Sequence, residues 1–451
     1  MMKLFKRIVL TAVTITMLVG CTSKPAETDT TIRVYTHMGQ QILGEEKKDA
    51  DGNTYRDKAT AYLLKVADRF TEETGIKVEF EVADEEDVEP LLRVQDPSVD
   101  IYTAPNWTIP QYKEYAEPFG TIEEVAKDYG EYAKLMPNDG ELVYLLQEAR
   151  GYENGFVYNE DAIKSVGYDE FPGTLADFDD MNEKLIAAGI TPIALHRIEN
   201  WPLGGIDVLA NYISGVNSGF TEGLKLDDPF SAHNPIGGAI KLATEWKSKK
   251  YFEQEIYSDF GVAMDAVAYG TAASMFLGAW VVPQIQGRVP EGTSPSVIKM
   301  STAPDVGKGR FITGVSMSGW AISKGSLNKE ASRQFIDFIA EDAKYLADFG
   351  AIANKKGVEP IVPEFYKTID DLVEKGEVSV LLSEPRNQNT INMEELLIEA
   401  NLKADNKHIG LPFDALDITK PNDWAAFDKQ IEAQNEAFVK YRTELGIEWI
   451  D

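Results

Sequence analysis

Residues 151–195 constrain the fold more than any other part of the chain, because they read as a strand, a turn, a capped helix and a second strand in close succession. Phe156-Val157 follows Gly155 as a short extended run. Asn159-Glu160-Asp161 then supplies a turn and the acidic start that favours a following helix. A strand that leads directly into a helix is the repeating unit of α/β domains.

The second half of this stretch predicts a helix with both ends marked. Thr174 precedes the helix and Asp177 follows three residues on, a shortened capping box with Asp in place of Glu or Gln. Gly189 ends the helix as a left-handed terminator, and 190–195 reads as a buried strand. The apolar residues recur at helical spacing: Leu175, Phe178, Met181, Leu185 and Ile186.

Several runs together resemble one family, the bacterial extracellular solute-binding proteins of the sugar type, which are relatives of maltose-binding protein and serve ABC importers. The longest runs are YNEDAIKSVGY and FPGTLADFDDMNEKLIAAGITPIAL. FTEETGIKVEFE is similar to the family's "Phe…Thr-Gly-Ile-x-Val" signature, and Gly278-Ala279-Trp280 matches its "Gly-x-Trp". Residues 99–103 resemble its "Pro-Asp-Ile" strand, although Pro97 stands two residues too early.

The resemblance implies an α/β chain with the two-lobed, type II periplasmic-binding-protein-like fold. Each lobe is then a mostly parallel sheet flanked by helices, with the ligand cleft between the lobes. The first lobe is expected to comprise 31–146 plus 303–349, and the second 147–302 plus 350–451. The length of 451 residues suits this division, because single cores stop growing at roughly 250 to 300 residues.

The N-terminus has the pattern of a secretion signal that ends at a lipid-attachment site. Basic residues precede IVLTAVTITMLVG, an apolar run of about 13 residues that is too short to span a bilayer. Leu18-Val19-Gly20 then precedes Cys21, the only cysteine, and resembles the bacterial lipobox. We therefore predict a signal peptide over 1–20, lipid attachment at Cys21, a flexible tether over 21–30 and a location on the outer face of the cytoplasmic membrane.

The charge balance is strongly acidic, with 74 Asp plus Glu against 44 Lys plus Arg and a formal net charge of -30. Such a field repels phosphate backbones, which argues against a nucleic-acid partner. The same balance keeps a secreted protein soluble, or attracts cationic ligands.

The sequence offers little for catalysis. It contains 4 His without metal-ligand spacing, and it has no nucleophile elbow or phosphate loop. The pairs Asp179-Asp180 and Asp370-Asp371 diverge by about 100° if helical, so they do not face one substrate atom. The alternating acidic residues in 47–57 suggest a calcium-binding loop. They do not fit an EF-hand, because the sixth position is Thr54 instead of Gly and the twelfth is Thr60 instead of Glu. We predict no enzyme activity, no metal and no cofactor.

Sugar binding requires flat apolar faces and planar polar groups. Trp280, Trp107 and Trp201 lie at or near strand ends, where ligand stacking and core packing are both open roles, whereas Trp320 lies within a strand pattern that favours the core. Six polar residues near strand ends could contact ligand, cap a helix or face solvent: Gln40, Gln41, Asn106, Glu153, Asn200 and Ser316.

The sequence thus predicts a monomeric, lipid-anchored protein that captures a carbohydrate, an oligosaccharide in particular, and delivers it to ABC permease subunits by lobe closure. Two alternatives remain open at this stage. One is the same fold binding a cationic solute such as a polyamine. The other is a ligand-sensing surface protein without a role in transport.

Overall fold

The computed structural model describes residues 30–48, 54–83, 85–104, 112–197, 201–252, 259–316, 319–382, 388–447 and 449. Over these residues the chain alternates between strands and helices. The strands are β1 (Thr31–Thr36), β2 (Glu45–Lys48), β3 (Thr54–Asp57), β4 (Lys77–Val82), β5 (Ile101–Ala104), β6 (Ala116–Glu117), β7 (Gly120–Thr121), β8 (Leu142–Val143), β9 (Ala149–Glu153), β10 (Gly155–Asn159), β11 (Thr191–Ile193), β12 (Ala272–Leu277), β13 (Ile298–Ser301), β14 (Arg310–Ser316), β15 (Gly319–Ser323), β16 (Ile352–Ala353) and β17 (Val378–Leu382). The helices are α1 (Gly39–Leu43), α2 (Tyr62–Thr74), α3 (Glu85–Arg93), α4 (Tyr112–Tyr115), α5 (Ile122–Tyr129), α6 (Glu160–Lys164), α7 (Leu175–Ala187), α8 (Gly205–Ser214), α9 (Gly219–Leu224), α10 (Pro235–Ser248), α11 (Phe260–Ala268), α12 (Val282–Gln286), α13 (Lys329–Glu341), α14 (Ala343–Asp348), α15 (Lys367–Glu374), α16 (Gln388–Glu399), α17 (Lys407–Ala415) and α18 (Ala425–Leu445).

The first sheet has the order β4-β1-β5-β15-β6. β1 runs parallel to β4 and β5, while β15 runs antiparallel to β5 and β6. Helix α2 connects the early strands and buries Leu63 and Phe70, which stand seven residues apart on one face. It ends at Gly75, whose φ of 79° provides the left-handed terminator.

The second sheet has the order β11-β12-β10-β13 and contains the stretch that dominated the sequence analysis. Asn159 ends β10 and caps α6, because its side chain accepts hydrogen bonds from the amides of Asp161 and Ala162. Thr174 caps α7 by accepting from the amide of Asp177. The predicted strand–helix–helix–strand order is confirmed, although β11 covers three residues rather than the six expected over 190–195.

The third sheet has the order β16-β9-β14-β17 and is a correction to the expected arrangement of mostly parallel strands. β14 runs parallel to β17 but antiparallel to β9, and β10 is antiparallel to both of its neighbours. The sheets are mixed because several strands enter from turns or long connections instead of from helical crossovers, so they are free to run in the opposite direction. The two-lobed α/β class itself is confirmed.

Three chain segments lie side by side where the first and third sheets meet. Leu146 and Trp320 exchange two backbone hydrogen bonds of 2.9 Å. A few residues further along, Arg150 pairs with Ser316 of β14 and with Ile352 of β16. We call these described residues the crossing segments: 146–150, Ser316 with 319–320, and 350–354. The exact lobe boundaries stay a prediction.

The helical tail shares a core with the second sheet. Leu396 of α16, Phe413 of α17 and Phe438 of α18 belong to the same buried cluster as Phe156 of β10. Trp424 packs on this cluster as well, consistent with a structural role. Trp320, expected in the core, is fully buried beneath the first sheet. None of the helices within the described ranges is long and apolar enough to cross a membrane.

Candidate functional site

Trp280 lies where two hydrophobic cores meet. It follows the end of β12 by three residues and sits in a single turn of 3-10 helix, Ala279–Val281. The half-buried indole packs both against the core beneath the first sheet and against the core that the second and third sheets share. A ring in this position is able to sense a change in the relative placement of the two cores.

Three further aromatic side chains surround Trp280, and we call the four together the aromatic cluster: His196, Trp201, Phe260 and Trp280. The Trp201 ring centre lies 6.2 Å from that of Trp280, and Phe260 lies 5.3 Å from Trp201 and 5.8 Å from Trp280. His196 lies 5.0 Å from Trp201. Trp201 remains 39% exposed, so the cluster presents a flat apolar surface to solvent.

Three residues of the cluster follow strand ends, and the fourth, Phe260, begins a helix. His196 comes after β11, and Trp201 opens a short 3-10 helix, Trp201–Gly204. Phe260 is the first residue of α11, which Asp259 caps by accepting a hydrogen bond from the amide of Val262. Ligands in open α/β sheets lie beyond strand ends of this kind, where loops converge.

An apolar cavity lies behind the cluster. Its walls come from β11, β12 and the helices beside them, and its lining is apolar except for His196. Of the cluster residues, His196 borders this cavity. The lining residues are Ile193, Ala194, Leu195, His196, Pro202, Leu203, Ile206, Trp246, Phe252, Met275, Phe276 and Leu277.

Glu153 reaches the cluster from β9. Its carboxyl packs against the backbone of Gly278 so closely that a Cβ at position 278 would lie 1.8 Å from Oε2. Burial raises the pKa of Glu153 to about 8, and the neighbouring indole of Trp280 partly offsets this rise. Near neutral pH the group is therefore largely uncharged.

The structure brings together three of the sequence-predicted site residues, Glu153, Trp201 and Trp280. Gln41 is held elsewhere, because its Oε1 accepts a 3.0 Å hydrogen bond from the hydroxyl of Tyr345. Gln40 is exposed on α1. Ser316 ends β14, where its backbone pairs with Arg150. Four other predicted residues lie outside the described ranges: Asn106, Trp107, Asn200 and Cys21.

Sequence reasoning did not select His196, Phe260 or Arg150 as site residues. His196 stands one residue past a predicted strand, which is a usable signal for a loop at a sheet edge. Phe260 carries no comparable mark beyond the Asp cap in front of it. Arg150 lies in a crossing segment, where its half-buried guanidinium donates to the Tyr132 hydroxyl at 3.0 Å and lies 5.5 Å from that ring centre.

Comparison with known proteins agrees with this geometry. The family model described as bacterial extracellular solute-binding protein matches residues 54–346. The chain belongs to this family. A search of curated proteins found no match.

Solved structures with the same fold are distant in sequence. The chain is similar to BlMnBP1, a binding protein of an ABC transporter from Bifidobacterium animalis subsp. lactis solved with mannobiose, at 19% identity and a TM-score of 0.72, over 92% of this chain and 95% of that one. It is also similar to the solute-binding protein RafE of Streptococcus pneumoniae solved with raffinose, at 16% identity and a TM-score of 0.66, over 91% and 99% of the two chains. A chitin oligosaccharide binding protein gives 18% identity and a TM-score of 0.62, over 91% and 100%. At these identities the likeness shows the fold.

The chemistry available at the site is that of binding. The aromatic cluster supplies stacking faces, and the carboxyl of Glu153 packs against the backbone of Gly278. Among the described residues, no group of three or more His, Cys, Asp or Glu is placed to hold a metal ion. The solute-binding family and the site geometry agree on a protein that holds a ligand.

Proposed function

We propose that this protein captures a carbohydrate, an oligosaccharide in particular, at the aromatic cluster. The observation that carries the proposal is the pairing of Trp201 and Trp280 at a ring-centre distance of 6.2 Å, beside the place where two cores meet. The C–H face of a pyranose packs well on indole rings, and two adjacent indoles offer room for more than one sugar unit.

The similar structures support a carbohydrate over other solutes. The proteins solved with mannobiose, mannotriose and raffinose share the fold over more than nine-tenths of the chain. A polyamine would need carboxylates that stay charged in the site. Glu153 is a carboxyl beside the cluster, and its raised pKa of about 8 leaves it mostly neutral at pH 7.

We also propose that the protein delivers the sugar to the permease subunits of an ABC transporter. A lipid attached at Cys21 would anchor the protein to the membrane. Since Cys21 is the only cysteine, Cys21→Ala removes the single thiol that could accept a lipid. We expect the variant to be released from membranes or retained as an uncleaved precursor, as measured by fractionation and intact mass. Unchanged acylation in the variant would contradict the anchor.

The binding proposal is tested by calorimetric titration with mannobiose, mannotriose, raffinose and chitin oligosaccharides, after a thermal-shift screen. A sugar at about 100 times its Kd stabilises the folded state by roughly 2.7 kcal/mol. Trp280→Ala is expected to weaken the sugar that binds by about 1 to 3 kcal/mol. Trp424→Ala, in the helical tail, is the matched control and should leave the affinity unchanged.

Two outcomes contradict this proposal. One is the absence of binding across a broad sugar panel, with tight binding of a cationic solute instead. The other is a Trp280→Ala variant that keeps native sugar affinity but loses roughly 3 to 5 kcal/mol of stability, because that loss is typical of an aromatic residue that only fills a core.

A further inference from the structure

Helix α17 of the helical tail contacts the chain on both sides of Trp201. Before the tryptophan, the guanidinium of Arg197 donates two hydrogen bonds to the carboxylate of Asp414, from Nη1 to Oδ1 at 2.7 Å and from Nη2 to Oδ2 at 2.6 Å. After the tryptophan, Nε2 of His408 lies 2.9 Å and 3.0 Å from the two carboxylate oxygens of Asp207. Residues 197 and 207 are therefore both held by the same helix.

The short 3-10 helix that Trp201 begins also packs against α17. A Cβ at Gly410 would lie 3.6 Å from Cδ1 of Leu203, which is fully buried in the core that the tail shares with the second sheet. A Cβ at Gly204 would lie 3.5 Å from the side-chain amide of Asn406, the residue before α17. Because packed groups transmit a displacement to their neighbours, the position of α17 determines that of the 3-10 helix.

The ion pair between Arg197 and Asp414 has a fixed direction as well as a favourable charge. The side chain of Arg197 is 13% exposed and that of Asp414 is 55% exposed. The guanidinium lies 5.3 Å from the centre of the Phe413 ring, and Nζ of Lys247 lies 4.7 Å from the same centre and 3.9 Å from the Asp414 carboxylate. Asp414 thus balances two cations, and its bidentate pair with the guanidinium sets an orientation that a single contact would not.

We propose that Asp414 is a positioning residue, which holds Arg197 and through it sets the place and angle at which Trp201 stacks on sugar. This inference rests on the proposed carbohydrate function. Trp201 is 39% exposed, so its direction depends on the backbone that carries it. The contact between Asp207 and α17 holds the far side of this backbone, and Asp414 holds the near side. The tail therefore affects affinity although it supplies no ring to the aromatic cluster.

The first test needs no sugar. Hydrogen exchange measured by mass spectrometry reports the local opening of peptides that cover residues 202–210. Asp414→Asn removes the charge that holds Arg197, and we expect it to accelerate exchange in these peptides by roughly threefold or more. Exchange at the wild-type rate in this variant overturns the proposal.

The matched control is Asp227→Asn, which removes a second ion pair between the helical tail and the rest of the chain. Nη2 of Arg442 in α18 donates to Asp227 at 2.7 Å, and the Arg442 side chain is 16% exposed, close to the value for Arg197. We expect exchange over residues 202–210 to stay at the wild-type rate in this control. Equal acceleration in both variants overturns the proposal, because it means that any loosening of the tail has the same effect.

The second test measures sugar affinity by calorimetry at pH 7, with mannotriose and raffinose as probes. Asp414→Asn should bind roughly three- to tenfold more weakly than the wild type, and Asp227→Asn should bind as the wild type does. A double-mutant cycle shows whether the effect passes through the ring. In a protein that already carries Trp201→Ala, Asp414→Asn should cause no further loss of affinity.

The outcomes separate this inference from the function on which it rests. Weakened binding in Trp201→Ala together with native affinity in Asp414→Asn overturns the positioning role and leaves the carbohydrate site standing. An equal loss from Asp414→Asn with and without Trp201 also overturns it, because the effect then does not act through this ring. Native affinity in Trp201→Ala contradicts the stacking of sugar on this ring, and with it the positioning role.

Discussion

Two glutamates lie at the edges of the crossing segments, and each carboxyl lies beside an indole ring. Glu148 is 3% exposed, and burial raises its pKa to about 7, with the Trp320 indole opposing the rise. Glu153, beside Trp280, titrates near 8 for the same reason. Each carboxyl is thus kept protonated by the fold at a pH where it would ionise freely in the unfolded chain.

This predicts a protein that loses stability as the pH rises from about 4.5 to 8. In that range the unfolded chain has released the protons of Glu148 and Glu153 while the folded protein still holds them, so the free energy of unfolding falls by at most about 1.4 kcal/mol per pH unit for each group. Above pH 8 both states are ionised and this dependence ends. Urea denaturation at several pH values measures it.

The variants Glu148→Gln and Glu153→Gln supply the check on this pH dependence. Each substitution should flatten the part of the profile that belongs to its own group, up to about pH 7 for position 148 and up to about pH 8 for position 153. A stability that rises with pH over this interval in the wild type would contradict the buried, protonated state of both carboxyls.

Individual site residues were only partly predictable from the sequence. Trp280 could be predicted because the short Gly-x-Trp motif marks it, and Glu153 because it lies near a strand end. Their proximity could not, since it depends on two ladders that bring Glu153 into contact with Gly278, 125 positions further along the chain. Phe260 was missed for a related reason: a ring at the start of a helix gives no sign in the sequence of what it packs against.

At the scale of elements, helix α7 shows how far local chemistry reaches. The Thr174 hydroxyl accepts from the amide of Asp177 at 3.1 Å and also contacts the Asp177 carboxylate at 2.7 Å. This is half of a capping box, because Asp is too short to return to the backbone amide of residue 174. The cap was predicted from the sequence because its partners are three residues apart.

Removing this cap should cost stability and leave binding intact. Thr174→Ala is expected to lower the free energy of unfolding by about 1 kcal/mol, since the amide of Asp177 loses its acceptor. Thr174→Ser keeps the hydroxyl and serves as the control. Sugar affinity should not change in either variant, because α7 lies away from the aromatic cluster. Chemical denaturation that gives Ala and wild type the same stability would show that the cap contributes nothing.

Pairing between distant strands was harder to foresee. The run FITGVSMSGWAIS reads as one late strand region, yet β14 joins the third sheet and β15 the first. Both halves are apolar and extended, so composition does not say which partners they take. Because β14 pairs in the third sheet and β15 in the first, we propose that the chain returns to the first lobe between Ser316 and Gly319 and not near Thr302.

At the scale of the whole molecule, the crossing segments connect the first sheet to the rest through a few backbone strands. Packed cores resist deformation, so a change of shape concentrates in such connections. Trp280 packs against cores on both sides of the junction. A sugar held at this ring and contacting both lobes would bind one relative arrangement better than another and shift the population towards it.

The central claim is that a carbohydrate binds at the junction and changes the shape of the molecule without being consumed. Small-angle X-ray scattering of the full folded protein, with and without a saturating amount of the sugar that binds, tests it most directly. We expect a smaller radius of gyration in the bound state and no sugar turnover in the same sample. Trp280→Ala is the control: at a sugar concentration below the variant's Kd, its radius of gyration should not decrease. Saturated binding with an unchanged scattering curve, or the steady release of cleaved sugar, would contradict the account.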